Sequence, residues 1–166
     1  MNVGASAPEE SGLYFSWGNS PGHTEGSGYS FSQAVYNATA AAAIDSDLSL
    51  EQDMARASLG QVWRLPSKEE FQELFDNCTV TWVTQNGVHG RLFTSNINGK
   101  SIFMPAAGYY DGPTLGSKGS GGYYWSSSYN SPTTAYVLYF GSGTIDPQST
   151  YGQRWYGFPV RAVAAV

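Results

Sequence analysis

A single cysteine, Cys78, in 166 residues leaves no partner for an intramolecular disulfide and no thiolate set for a structural zinc site. Basic charge is also scarce. Eight Lys and Arg stand against thirteen Asp and Glu, a net charge of -5 without blocks of one sign. A nucleic-acid partner needs clustered cations and is excluded on that ground. The two histidines, His23 and His89, lie in no nucleophile motif with Cys78, so the thiol is read as structural. No apolar run approaches the roughly 18 residues of a membrane span, and no membrane insertion by this domain is expected. The opening MNVGASAPEESG lacks the basic-then-apolar order of a secretory leader. Residues 1–11 are read as a linker or the cut edge of a longer chain, and 12–166 as one domain, the size that a single core favours.

Aromatic residues, in contrast, make up 15% of the chain. GLYFSWGN reads as a strand before the turn-rich SPGHTEGSG. From Ser30 to about Ala43, Phe31, Ala34, Val35 and Ala38 recur at helical spacing. A second short helix is expected over 49–60, with Ser49 as N-cap and Gly60 as stop. Pro66 and Ser67 then open a third, with Phe71, Leu74 and Phe75 on one stripe and Ser67 to Glu70 spaced as a capping box. TVTWVT, GRLFTS and KSIFMPA, separated by turns at Asn86-Gly87 and Asn98-Gly99, predict a β-meander. DGPTLGSKGSGG, residues 111–122, is read as a flexible loop, since it lacks the spacing and the following helix of a phosphate cradle.

Three patterns invite chemistry and fall short of it. Glu69, Glu70 and Glu73 are adjacent helical carboxylates, the usual mark of a solvated face. Asp45, Asp47, Ser49 and Glu51 alternate as a calcium loop opens, but Leu50 stands where that loop needs Gly and Arg56 where it closes with Glu. The sequons at Asn37 and Asn77 are assigned no function. No cofactor or metal is implied.

The segment 123–156 holds seven Tyr, six Ser and four Thr, with Asp146 and Arg154 its only formal charges. Tyrosine gives stiff amphipathic contact at low entropic cost, and Ser and Asn give adaptable hydrogen bonds, as in antibody loops. The competing reading is that these rings fill a small-domain core and its rim. In AYVLYF, alternation puts Tyr136, Leu138 and Phe140 on one face and Ala135, Val137 and Tyr139 on the other.

LSLEQDMARASLGQVWRLPSKEEFQEL, NGVHGRLFTSNINGKSIFMPAAGYYDG, YYWSSS and GFPVRAV, in that order, resemble the bacterial family called the Fibrobacter succinogenes major paralogous domain, from Gly12 to Val163. The resemblance implies an α+β, C-type lectin-like fold, with two or three helices packed on antiparallel hairpins and a loop-rich C-terminal half. That fold is shared with formylglycine-generating enzymes and with variable proteins of diversity-generating retroelements. Those enzymes use a cysteine pair, which Cys78 alone does not supply, and the EPN, QPD and WND calcium motifs of sugar-binding lectins are missing too. Retroelement relatives imply a fixed framework at Trp125, Tyr136, Leu138, Phe140, Arg154, Gly157, Phe158, Val160 and Arg161. They imply a variable surface at Tyr129, Asn130, Ser131, Val137, Tyr139, Ser142, Thr144, Asp146, Gln148, Thr150, Tyr151 and Trp155. The expected function is recognition of a protein or glycan ligand, with no catalysis, from a bacterial cell surface or phage virion, as part of a larger chain or particle. The alternative is a structural spacer in a larger surface protein. The framework should put Tyr136, Leu138 and Phe140 inside, and Val137, Tyr139, Thr144, Asp146, Gln148, Tyr151 and Trp155 on one solvent-facing surface.

Overall fold

The computed structural model describes residues 1–164. They form a mixed α+β domain of short helices and small antiparallel sheets. The chain runs through β1 (Tyr14–Phe15), α1 (Gln33–Asn37), a 3-10 turn (Ala40–Ala43), α2 (Met54–Leu59), β2 (Trp63–Arg64) and α3 (Lys68–Asp76). The meander β3 (Cys78–Gln85), β4 (Val88–Ser95) and β5 (Ser101–Pro105) follows, in the order expected from its turns. After it come β6 (Tyr109–Asp111), β7 (Thr114–Gly116), β8 (Gly122–Tyr129), β9 (Thr134–Phe140), β10 (Ile145–Gln153), β11 (Phe158–Pro159) and β12 (Val163–Ala164). Among these residues no helix is long and apolar enough to cross a membrane.

Distant parts of the chain close the domain. β1 pairs with β11 and β2 with β12, while β10, β9 and β8 form the sheet at its centre. Apolar side chains collect on both sides of β9. Trp17, Phe15, Trp125, Val137 and Phe158 fill one cluster, and Phe71, Phe93, Met104, Tyr124, Leu138 and Phe140 fill the other. Each such side chain contributes about 1.5–3 kcal/mol when fully buried. Two glycines let the rings in. A Cβ on Gly122 would meet the Phe140 ring at 2.1 Å, and one on Gly152 would meet Trp125 and Val137 at 2.7 Å.

Local chemistry explains the helix ends. Ser67 caps α3 in the expected reciprocal box with Glu70. Gly60 ends α2 as expected, but Asp53, not Ser49, is its N-cap, accepting from the Ala55 and Arg56 amides at 2.9 and 3.0 Å. The helix expected over 30–43 is broken. Ser32 caps α1, Thr39 turns extended, and a 3-10 turn follows, with Tyr36 buried and Val35 exposed.

Three further expectations are corrected. Residues 1–11 are not a detached linker: Val3 is in the core, its amide bonded to the Val160 carbonyl, and the buried Asn2 donates to Ser11 and Tyr124. The segment 111–122 is not all loop, because β7 folds back on β6. The C-terminal half is strand-rich, with β8, β9 and β10 running eight, seven and nine residues. Of the expected domain, 12–166, the last two residues lie outside the described ones.

Candidate ligand-binding site

The phase of β9 decides what the tyrosine-rich segment presents. Alternation holds, but both faces are covered. Val137 is 0% exposed against Trp125, so it is removed from the expected surface, while Tyr136 is half-buried and not enclosed, its ring capped by the Lys68 ammonium at 4.2 Å. Leu138 and Phe140 are buried as expected. Helix α3 and the meander cover the face that carries them, and the core of tryptophans covers the other.

Tyr139 shares the face of Val137 but lies past the edge of the core, half-buried. Its ring stands 5.0 Å from Tyr123 on β8 and 6.3 Å from Tyr151 on β10, the latter at 83°. Tyr109 on β6 continues the row, 4.7 Å from Tyr123 and 5.3 Å from Tyr156, which follows β10. These rings, with Thr150 and Gln153, line a groove of about 410 Å³ over Phe158. Tyr151 forms the rim at 71% exposure. Burial raises the Tyr123 and Tyr156 phenols above their ordinary pKa, and the Asp111 carboxylate raises Tyr156 further. Both remain neutral at physiological pH, each with a flat apolar face and a hydroxyl.

Of the expected surface residues, Tyr139, Thr150 and Tyr151 come together in this groove. Trp155 is half-buried beside it, its ring 6.1 Å from Tyr156. Ser142, Thr144 and Asp146 are exposed around the β9–β10 turn, where Arg91 holds the Gly141 and Ser142 carbonyls at 2.8 and 3.1 Å. Gln148 is only half-exposed and is turned toward α3, donating to the Lys68 carbonyl at 3.4 Å. Tyr129 ends β8, and Asn130 and Ser131 begin a separate loop between β8 and β9. There the Tyr129 amide donates to Asp47, and the Asn130 and Ser131 side chains bond Thr134. One continuous solvent-facing surface is thus replaced by a groove, a hairpin turn and a loop.

That loop is held by Arg154. The guanidinium is fully buried and, among the described residues, pairs with no carboxylate, donating to Tyr36 Oη at 3.2 Å, to the Pro132 carbonyl at 2.9 Å and to the Ala41 carbonyl at 2.7 Å. It lies over the rings of Trp17, Tyr36 and Tyr129, at 4.7, 5.7 and 5.9 Å.

Tyr109, Tyr123, Gln153 and Tyr156 line the groove without having been picked out as site residues. The alternation of YYD in β6 and YYW in β8 puts Tyr109 and Tyr123 opposite their buried neighbours Tyr110 and Tyr124, and that was the available signal. The groups that invited catalysis are engaged elsewhere. Glu70 receives Arg64 bidentately at 2.7 Å and is held below the usual carboxylate range by it, burial pushes the Cys78 thiol up, and His89 stacks on Trp82.

A family described as a domain of unknown function (DUF8237) matches residues 82–163, a stretch that includes every side chain lining the tyrosine groove. No curated protein and no solved structure matches the chain.

Proposed function

We propose that this domain is a C-type lectin-like ligand-recognition module whose binding surface is centred on the tyrosine groove. It follows the pattern of retroelement-diversified variable proteins and is displayed on a bacterial cell surface or phage virion. The observation that carries this reading is the convergence of five tyrosines from four separate segments on one open groove. A purely structural role would not need Tyr151 at 71% exposure on the rim of four half-buried rings. The pairing of β1 with β11 and of β2 with β12 supports the lectin-like arrangement, in which the ends of the domain close on one another and the central strands are free to present a surface. Ordered strands behind the groove supply the rigidity that keeps the entropic cost of binding low.

In such an interface a few amphipathic anchors hold most of the energy. Tyr139 and Tyr151 fill that role here, and each truncation to Ala should weaken binding by about 2 kcal/mol, some thirtyfold. The test is a screen of random displayed peptides and a glycan array with the wild-type chain and with Tyr139→Ala/Tyr151→Ala. Ligands that bind both proteins equally would move the surface elsewhere, and no specific ligand in either screen would favour a spacer. A near-duplicate of the 3′ coding sequence beside a reverse transcriptase gene would support the diversification part separately.

A further inference from the structure

We propose that the tyrosine groove receives an arginine side chain projected by a partner protein, an inference that rests on the ligand-recognition reading above. The groove offers ring faces and no cation of its own: no Lys or Arg is among its lining residues. Two carboxylates stand outside its lining on strands that carry its tyrosines. Asp146 is the cross-strand partner of Tyr139, and Asp111 lies two residues beyond Tyr109 on β6, so each shares a sheet face with a groove tyrosine. Both are exposed, and among the described residues neither forms an ion pair. A cation entering here gains from the quadrupoles of the rings and from two unpaired negative charges, within a chain of net charge -5.

The near-perpendicular pair Tyr139 and Tyr151 makes a corner open to solvent, one ring supplying a face and the other an edge. A guanidinium is flat, weakly hydrated and stacks on rings, so it suits such a corner better than a compact ammonium does. The same chain already holds guanidinium groups on aromatic walls, with Arg154 over Trp17 and Arg91 over Trp82 at 5.7 Å. A neutral sugar would use the rings but leave these two charges uncompensated.

The test is an NMR titration of the full chain with the tripeptide acetyl-Gly-Arg-Gly-amide and with its citrulline counterpart, which keeps the shape and loses the charge. The arginine peptide should give saturable shifts at Tyr139, Tyr151 and Tyr156. The citrulline peptide should bind about tenfold more weakly, and Asp146→Asn and Asp111→Asn should each reduce both affinity and its salt dependence. Tyr139→Ala/Tyr151→Ala, with its melting temperature checked, should abolish the shifts. Equal response to the two peptides, shifts confined to other surfaces, or no saturable response overturns the proposal. A glycan that binds the groove where the arginine peptide does not would overturn it as well, and would leave the ligand-recognition reading standing.

Discussion

Replacing Arg154 with Met should cost the domain about 2–4 kcal/mol, even though it removes a buried charge that has no acidic partner among the described residues. Burying a guanidinium is expensive, and substituting an apolar side chain for buried ions is often neutral or better. Here the compensation comes from carbonyl dipoles and rings. The two shortest bonds, 2.7 Å to Ala41 and 2.9 Å to Pro132, join the 3-10 turn to the β8–β9 loop. Hydrogen bonds to charged groups contribute about 1.5–3 kcal/mol each. The Ala41 carbonyl keeps another donor, the Ile44 amide at 3.1 Å, whereas among the described residues the Pro132 carbonyl has no comparable substitute. Two such bonds, less the desolvation recovered by removing the charge, leave the stated cost. In a chain of this length it lowers the melting temperature by about 4–16 °C. Arg154→Lys should not rescue it, because one ammonium cannot span Tyr36, Ala41 and Pro132 in the guanidinium's fork. Thermal melts and denaturant titrations measure the loss, and hydrogen exchange should show the amides of 129–134 opening first. A cost below about 1 kcal/mol for both variants, with exchange at 129–134 unchanged, would refute this account of how the loop is held.

Gly152→Ala should cost about 1–3 kcal/mol by thrusting a methyl into Trp125 and Val137, whereas Ala at Tyr151, Asn130 or Asp146 should stay within about 0.5 kcal/mol; the reverse order in thermal melts would defeat the assignment of surface and core. Trp125→Ala and Phe140→Ala should each cost about 3–5 kcal/mol from the cavity left behind, read from the same melts. Burial raises the Tyr14 phenol from 10.0 to about 12. Its contribution is therefore fully present below pH 10 and is lost as pH rises through 12. Urea titrations should show stability falling over that window, with a shallower fall in Tyr14→Phe.

What could be read in the residues was what short-range chemistry decides. The Ser67–Glu70 box involves partners three residues apart, and Asn86-Gly87 turns with φ of 46° and 80°, a pair of left-handed positions that Asn and Gly accept readily. Ser49 and Asp53 are both residue types that cap helices, and local sequence alone does not choose between them. The cap went to the residue that satisfies more at once, since Asp53 also accepts from the Leu65 amide at 2.8 Å and ties α2 to β2. The phase of β9 was legible and its environment was not. Alternation says that neighbours face opposite ways, and only the packing of α3 and the meander shows that both faces are covered. The groove is assembled by long-range pairings, such as the Tyr110 to Gly157 bridge that brings β6 against the end of the chain. No local pattern encodes such a meeting.

The groove is not equally free to vary at every position, because its tyrosines are tied to the framework to different degrees. Tyr123 lies 5.3 Å from Phe158 and Tyr109 lies 5.9 Å from it, so their rings also roof the core. Removing either exposes Phe158 as well as altering the site. Tyr151 reaches the rest of the cluster through Tyr139 alone among the aromatic contacts, and it stands in the bulged part of β10, where the ladder to β9 loses register between Ser149 and Gly152. A bulge aims a side chain outward without committing it to cross-strand packing. Thr150 shares that irregular stretch, and Asp146 precedes the first break. A change of specificity should therefore fall on Asp146, Thr150 and Tyr151, with Tyr109 and Tyr123 kept as a constant aromatic floor. β10 pairs regularly with β9 at its two ends, and its bulged middle is the part that the proposed recognition role would use.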